Sequence, residues 1–249
     1  MASGPRRFYI RPMAYDTYPR TQGTEALVRG ASAAGSRFMA AVYRWMAAGL
    51  VVTAGVAWTV AGSPAARQAI FGNRLVFWGL IIAQLGIVIA ISAAVTRLSA
   101  GVAGLLFVAY SALTGATLSS VLLVYTGASI ASAFGVTAGA FAALSVFATV
   151  TRRDLSGWGT FLFIGLVGVV IAGVVNVFLR SDMLQFVLSC AAVVVFAGLT
   201  AYDTQKLRRL AAAGEGVPSA MPVNGALMLY LDFINLFLAL LNLFGGRRN

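Results

Sequence analysis

The sequence predicts an all-α integral membrane protein with seven transmembrane helices, the last of them an inner helix. Of its 249 residues, 60% are hydrophobic and only 10% are charged, whereas roughly a quarter of the residues in a soluble domain are charged. The mean hydropathy is +0.88. Seven apolar segments account for most of the chain, each about as long as the 20 residues that cross a bilayer core. The last of these segments has a narrow polar stripe.

The apolar segments define the domain organisation. Short connections with glycine, proline or charged residues separate them and leave no room for a soluble domain. We predict a basic tail over residues 1–36, a helical membrane domain over residues 37–246 and a C-terminal tail over residues 247–249. Small residues within the spans, such as Gly135 and Gly139 at GxxxG spacing, predict close helix packing. The predicted spans are residues 40–61, 75–96, 102–125, 129–150, 158–179, 183–201 and 223–244.

The first 36 residues are rich in Arg, Gly, Ser, Pro and Thr and lack a helical apolar period, which predicts a mobile tail. They contain no apolar stretch typical of a signal peptide, so the first span itself would direct insertion. Alternating spans place 13 basic residues on the side of this tail and three on the other. The N-terminus is therefore predicted to be cytoplasmic. A full seventh crossing then puts Arg247 and Arg248 outside, against this rule, and a re-entrant last segment stays open as the alternative.

The composition argues against several classes of function. The chain has no histidine, which excludes Ser-His-Asp and Cys-His catalysis and His-ligated metal sites. The single cysteine, Cys190, lies in an apolar run and gives no disulfide or CxxC site. The net charge of +11 comes from arginines at segment ends, which is typical of membrane topology and not of nucleic-acid recognition. The membrane aspartates lack the GxGD motif of intramembrane aspartyl proteases. We therefore expect no catalytic residues and no enzyme activity.

One carboxylate lies inside the last span. A bare carboxylate at mid-membrane costs at least ~3 kcal/mol on insertion scales. At about 100° per residue, the small and polar residues of this segment fall on one face, and the larger apolar residues cover the rest. That face comprises Gly225, Met228, Asp232, Asn235 and Ala239, with Asn242 at its margin. A helix of this kind needs protein on its polar side, which predicts an inner position.

A second aspartate, Asp203, lies where the sixth span gives way to basic sequence. It is either an interfacial residue paired with Lys206 one turn on, or a partner of Asp232 on the antiparallel neighbouring span, with axes about 8–10 Å apart. Two carboxylates in contact at low dielectric would share a proton and titrate as a coupled pair, which would offset the burial cost. A counter-cation is the other option. Arg97, at the predicted cytoplasmic end of the second span, is the arginine placed for it, unless it serves only as a topology signal.

Two stretches resemble the C-terminal signatures of a known family. AYDTQKL (201–207) and LYLDFINLFLALLNLFG (229–245) are similar to those of the Bax inhibitor-1 family of membrane proteins, also called the lifeguard or transmembrane Bax inhibitor motif family. The resemblance extends over the whole seven-segment region. It implies a calcium-leak protein whose last helix is central and surrounded by the other six. It also implies that Asp203 and Asp232 are the pH-sensing pair in the ion pathway, and that Arg97 is the cationic partner that stabilises the closed state.

The same resemblance implies a weak calcium site at Asp203 and Asp232, because calcium prefers oxygen ligands. Calcium would be the transported ion, and no other cofactor is expected. Tyr230 and Asn235 are the candidate supporting polar residues of the last span. Gln84 completes this set, and by a loose alignment it stands where some relatives have an acidic residue in the second span.

Two functional hypotheses follow. The first is a proton-gated calcium-leak channel or transporter of a bacterial inner membrane, with the lipid bilayer, calcium ions and protons as its partners. The arginine and alanine bias is consistent with a bacterial genome. The second is a regulatory protein that binds and restrains a membrane protease or another membrane partner without transporting ions. In that case the aspartates only hold helices together.

Overall fold

The computed structural model describes residues 20–213 and 217–248, with side chains from residue 33 onward. In these ranges the chain is built from helices: α1 Arg20–Gly62, α2 Pro64–Phe71, α3 Arg74–Ala93, α4 Ala100–Val124, α5 Gly127–Val150, α6 Gly159–Leu179, α7 Asp182–Ala212 and α8 Met221–Phe244, with one 3-10 turn at Ser156–Trp158. Seven of the described helices, all but α2, are long and apolar enough to cross a membrane. The predicted all-α architecture with seven spans is confirmed.

Polar side chains at the starts of five helices explain why the connections can be short. In each case the side-chain oxygen accepts a hydrogen bond from a backbone N–H of the first turn, which would otherwise have no partner. The capping residues are Ser63, Asn73, Ser99, Thr126 and Ser181, at the starts of α2, α3, α4, α5 and α7. A new span can therefore begin within a few residues of the previous one.

Two helices are longer than predicted, α1 at its start and α7 at its end. Helix α1 begins at Arg20, so residues 20–36 are helical and not an unstructured tail, while residues 1–19 lie outside the described residues. Helix α7 continues past residue 201 to Ala212. Apolar periodicity identifies only the part of a helix that lies against lipid. The helix itself continues until a residue such as proline interrupts its backbone hydrogen bonds. The sequence has no proline between Arg20 and Gly62.

Helix α8 is the central helix, as predicted. It packs against α1, α3, α4, α5 and α7. In its most apolar window, 56% of the residues are buried, compared with 6% for α3 and 11% for α6. Helix α6 packs chiefly on α7 and joins α8 through a small cluster that contains Leu162, Leu236 and Leu240. The outer helices therefore face lipid, whereas α8 faces protein.

Helix α8 crosses the whole bundle. The residues after it bind the α4–α5 connection, where Thr126 N donates to Gly246 O at 3.1 Å and Arg248 N donates to Val124 O at 2.8 Å. That connection and the start of α8 lie at opposite ends of the bundle, because the three helices α5, α6 and α7 alternate in direction between them. The last segment is thus a complete crossing, and the re-entrant alternative is wrong.

Helices α1 and α4 approach each other closely at Gly115, whereas the GxxxG pair of α5 faces open space within the chain. A Cβ atom added at Gly115 would lie 2.5 Å from the backbone oxygen of Thr53, whereas one added at Gly135 or Gly139 would have nothing within 4 Å. The predicted packing role of those two glycines within the chain is therefore wrong. GxxxG spacing identifies a flat helix face, but only the tertiary structure decides whether a neighbour occupies it.

Candidate proton and cation site

The site is centred on Asp232, which lies near the middle of α8. Its side chain is only 4% exposed, because five other helices pack around α8. The Oδ2 atom is buried and has no hydrogen-bond partner. A carboxyl oxygen in this state is costly unless its charge is removed or balanced. The nearest candidate for that balance is on α7.

Asp203 lies within α7 and not at its end, since the helix continues nine residues beyond it to Ala212. The side chain is 8% exposed, which argues against the interfacial interpretation. Its carboxyl group lies within hydrogen-bonding reach of the carboxyl group of Asp232. The two aspartates that sequence reasoning paired are therefore brought together, although their role in proton sensing or ion transport stays a prediction.

The cation beside this pair is Lys206, and not Arg97. Lys206 lies one turn after Asp203 in α7, a spacing at which side chains of a helix are neighbours. Its ammonium is 5.9 Å from the centre of the Tyr202 ring and its side chain is exposed. Arg97 lies in the turn after α3 with an exposed side chain, and it forms no ion pair with either aspartate. The expected Arg97 contact is therefore absent from this structure, since the turn keeps the guanidinium at the surface.

Tyr230 and Gln84 belong to a different polar network. Tyr230 is two residues from Asp232 on α8, so it points about 200° away around the helix. Its hydroxyl contacts Thr53 Oγ1 of α1 at 2.6 Å. Gln84 Oε1 accepts a hydrogen bond from Thr114 Oγ1 of α4 at 3.1 Å. Tyr230 therefore joins α8 to α1, and Gln84 joins α3 to α4. Neither side chain forms a hydrogen bond with Asp203 or Asp232.

Asn235, one turn beyond Asp232, lines a cavity of about 160 Å³ between α6, α7 and α8. Its Nδ2 donates to Leu231 O at 2.8 Å, and its side-chain oxygen is left available to the cavity. Gln185 and Ser189 of α7 also line this cavity. Sequence reasoning missed these two residues, although their spacing of four places them on one face of a helix.

The arrangement has few ligands for a metal ion. Among the described residues, no group of three or more Asp, Glu, Cys or His side chains is placed to hold one. Calcium takes six to eight oxygen ligands, whereas this site offers two carboxyl groups and the amide and hydroxyl oxygens one turn away. This donor set is smaller than the one that a tightly bound calcium ion requires.

The comparisons with known proteins agree with the signatures. The family model described as "Inhibitor of apoptosis-promoting Bax1" matches residues 35–249. "Inner membrane protein YbhL" of Escherichia coli strain K12 is 53% identical over 218 residues, which cover 85% of this chain and 92% of the relative. An uncharacterized protein of Deinococcus radiodurans is 48% identical over 212 residues, covering 84% and 90%, and one of Borreliella burgdorferi is 43% identical over 217 residues, covering 86% and 94%. The chain is an integral membrane protein that belongs to the Bax inhibitor-1 family.

Proposed function

We propose that this protein is a pH-sensitive calcium-leak channel or transporter, with Asp203 and Asp232 as its proton switch. The observation that supports this most is the contact between two carboxyl groups that are 8% and 4% exposed. Two ionised carboxylates this close repel strongly in a medium of low dielectric constant. The observed contact is therefore stable only while at least one proton is bound to the pair.

Loss of the shared proton would open the seam between α7 and α8. With the proton in place, the pair joins the two helices and keeps the path closed. Without it, repulsion separates the carboxylates, and their oxygens become ligands of the kind that calcium prefers. Protons and calcium ions thus compete for the same two residues. Calcium flux should rise as the pH increases through the range in which the shared proton is lost.

The outer half of the path would run through the cavity beside Asn235. The amide oxygens of Asn235 and Gln185 and the hydroxyl of Ser189 line it. Neutral oxygens of this kind can replace part of the hydration shell of a cation. An ion released from Asp232 would meet these groups about one helical turn further along α8.

We place the protein in a bacterial inner membrane with its N-terminus in the cytoplasm. The inner membrane location is supported by the name of the Escherichia coli relative, and the orientation by the excess of basic residues on one side. The proposal includes no catalytic step, and calcium is the cargo and not a resident cofactor.

Reconstitution tests the proposal. The purified protein is placed in liposomes that contain a calcium-sensitive dye, and calcium entry is measured between about pH 5 and 8. This range includes physiological pH and the pH values at which a proton shared by two carboxyl groups is expected to be lost. Asp203→Asn and Asp232→Asn should each abolish the pH dependence, because an amide neither loses a proton nor gains a charge. Asp182→Asn is the matched control, since Asp182 is an exposed aspartate in the first turn of the same helix.

Two results would overturn the proposal. One is an unchanged pH dependence in both aspartate variants. The other is a folded protein without calcium flux at any pH. The second result would favour the regulatory alternative, which predicts a membrane protease or other partner that co-purifies with the chain and is lost when residues 1–36 are deleted.

A further inference from the structure

Four arginine side chains line one cleft at the end of the bundle where α5 ends and α6 begins. The cleft has a volume of about 290 Å³. We call it the arginine cleft, and it is defined by Thr149, Arg152, Arg153, Gln205, Arg208 and Arg209. A neighbouring cavity of about 250 Å³ shares Gln205 and Arg209 with it and adds Lys206. Five positive charges therefore lie around two adjoining cavities.

The walls of the cleft are held in place by hydrogen bonds. Gln205 is buried in α7, where its Nε2 donates to Arg153 O at 2.9 Å and its Oε1 accepts from Leu155 N at 2.8 Å. Arg208 Nη1 donates to Thr149 O at 2.6 Å. These hydrogen bonds join the α5–α6 connection to α7. Less conformational entropy is lost when a ligand binds groups that are already fixed in this way.

The positive charge of the cleft is only partly balanced. Asp154 forms an ion pair with Arg209. A backbone N–H of Ser156 and the guanidinium of Arg209 lower the pKa of Asp154 to about 2, so it remains charged at neutral pH. The side chains of Arg152 and Arg153 form no hydrogen bond or ion pair with another described residue. Cations this close repel one another, and a bound anion would relieve that repulsion.

A lipid phosphate fits both the chemistry and the position of the cleft. Guanidinium groups bind phosphate oxygens with paired hydrogen bonds. The last turn of α5 exposes Phe147 and Val150 by 52% and 73% right beside Thr149, and these apolar side chains offer a surface for acyl chains. Basic pockets between transmembrane helices are a known mode of headgroup binding. We propose that the arginine cleft binds the phosphate group of an anionic phospholipid from the leaflet on its side of the membrane.

Native mass spectrometry of the full-length protein in detergent, titrated with phosphatidylglycerol, tests this proposal. The wild-type chain should bind this lipid saturably and prefer it to phosphatidylcholine. The double variant Arg152→Gln/Arg153→Gln should lose roughly tenfold or more in affinity, because each basic side chain near the lipid adds to the attraction. These two side chains hold no other part of the described structure, so the variant is expected to fold.

Two further variants distinguish lipid binding at this cleft from a general effect of positive charge on the protein. Arg67→Gln/Arg74→Gln removes the same charge at α2 and the start of α3, at the opposite end of the bundle, and should leave the affinity within about twofold. Gln205→Leu changes no charge but releases the α5–α6 connection, and should weaken binding several-fold.

Three results would overturn the proposal. These are equal losses in the two double variants, equal binding of phosphatidylcholine, and displacement of the lipid by inorganic phosphate, which would indicate a soluble anion site. The measurement involves no calcium flux, so its outcome is independent of the proposed leak.

Discussion

The hydroxyl of Tyr230 lies 2.6 Å from Thr53 Oγ1 and joins the central helix α8 to α1. Thr53 Oγ1 in turn donates to Ser111 O of α4 at 2.9 Å, so Tyr230 is the donor of the first bond. The ring of Tyr230 is fully buried and packs edge-on against Phe107 and Tyr110 of α4. Three helices therefore meet at one side chain.

Substitutions at Tyr230 should separate the hydrogen bond from the packing. Tyr230→Phe removes only the hydroxyl and should cost about 0.5–1.5 kcal/mol of unfolding free energy. Tyr230→Ala also opens a cavity among aromatic rings and should cost about 3–5 kcal/mol. Reversible unfolding in mixed detergent measures both values. Tyr202→Phe is the control, because Tyr202 is only partly buried. Equal losses of unfolding free energy in the Phe and Ala variants would contradict the predicted difference between the hydrogen bond and the packing.

The contact between α1 and α4 should tolerate no side chain at Gly115. An added Cβ would lie 2.5 Å from Thr53 O and 2.9 Å from the Cβ of Val56, so Gly115→Ala must push two helices apart. We expect a loss of about 1–3 kcal/mol. Gly135→Ala is the matched control, since its Cβ meets nothing within 4 Å, and it should be neutral or gain up to about 1 kcal/mol from helix propensity. A smaller loss of unfolding free energy for Gly115→Ala than for Gly135→Ala would show that α1 and α4 are not in close contact at Gly115.

The hydrogen bond from Ser156 N to Asp154 and the ion pair of Asp154 with Arg209 should make stability depend on pH in the acid range. The pKa of Asp154 is lowered from 3.8 to about 2 in the folded chain. A lowered pKa stabilises the fold at pH values above 3.8, and this contribution is lost as the pH falls through about 2. Wild type should therefore melt above Asp154→Asn at neutral pH, and the difference should disappear between about pH 4 and 2.

Thermal unfolding in detergent across this range measures that effect. Arg209→Gln should remove only part of this stabilisation, because the backbone N–H of Ser156 still donates to the Asp154 carboxylate. The effects of Arg209→Gln and Asp154→Asn should be less than additive in the double variant, because the two side chains form an ion pair. Additive effects of the two substitutions would contradict this assignment.

Lys206 and Arg97 should differ in their effect on calcium flux, if the proposed leak is correct. Lys206 lies one turn after Asp203 on α7, and a nearby positive charge favours loss of the shared proton, so Lys206→Gln should move the midpoint of the flux to a higher pH. Arg97→Gln should leave the midpoint unchanged, because Arg97 contacts neither aspartate. The liposome assay measures both. A shift with Arg97→Gln alone would restore the partner that the family resemblance implies.

The sequence by itself determined the class of the protein, its seven spans and the two aspartates that deserve study. Hydropathy identifies spans because lipid is apolar and a crossing needs a minimum length. The stripe around Asp232 predicted an inner helix because an unpaired charge cannot face lipid. The same patterns could not locate the ends of α1 and α7, since a helix continues into water without any apolar signal.

Only the tertiary structure decided which polar groups meet. Tyr230 and Asp232 are only two positions apart on α8, but they point to different sides and join different networks. In the structure, the cation near Asp203 is Lys206 and not Arg97. The close helix contact is made at Gly115 and not at the GxxxG pair of α5. Each of these outcomes depends on the rotation and depth of one helix against another. Periodicity along a single chain defines the face of a helix, but the identity of the neighbour is fixed only when the helices pack.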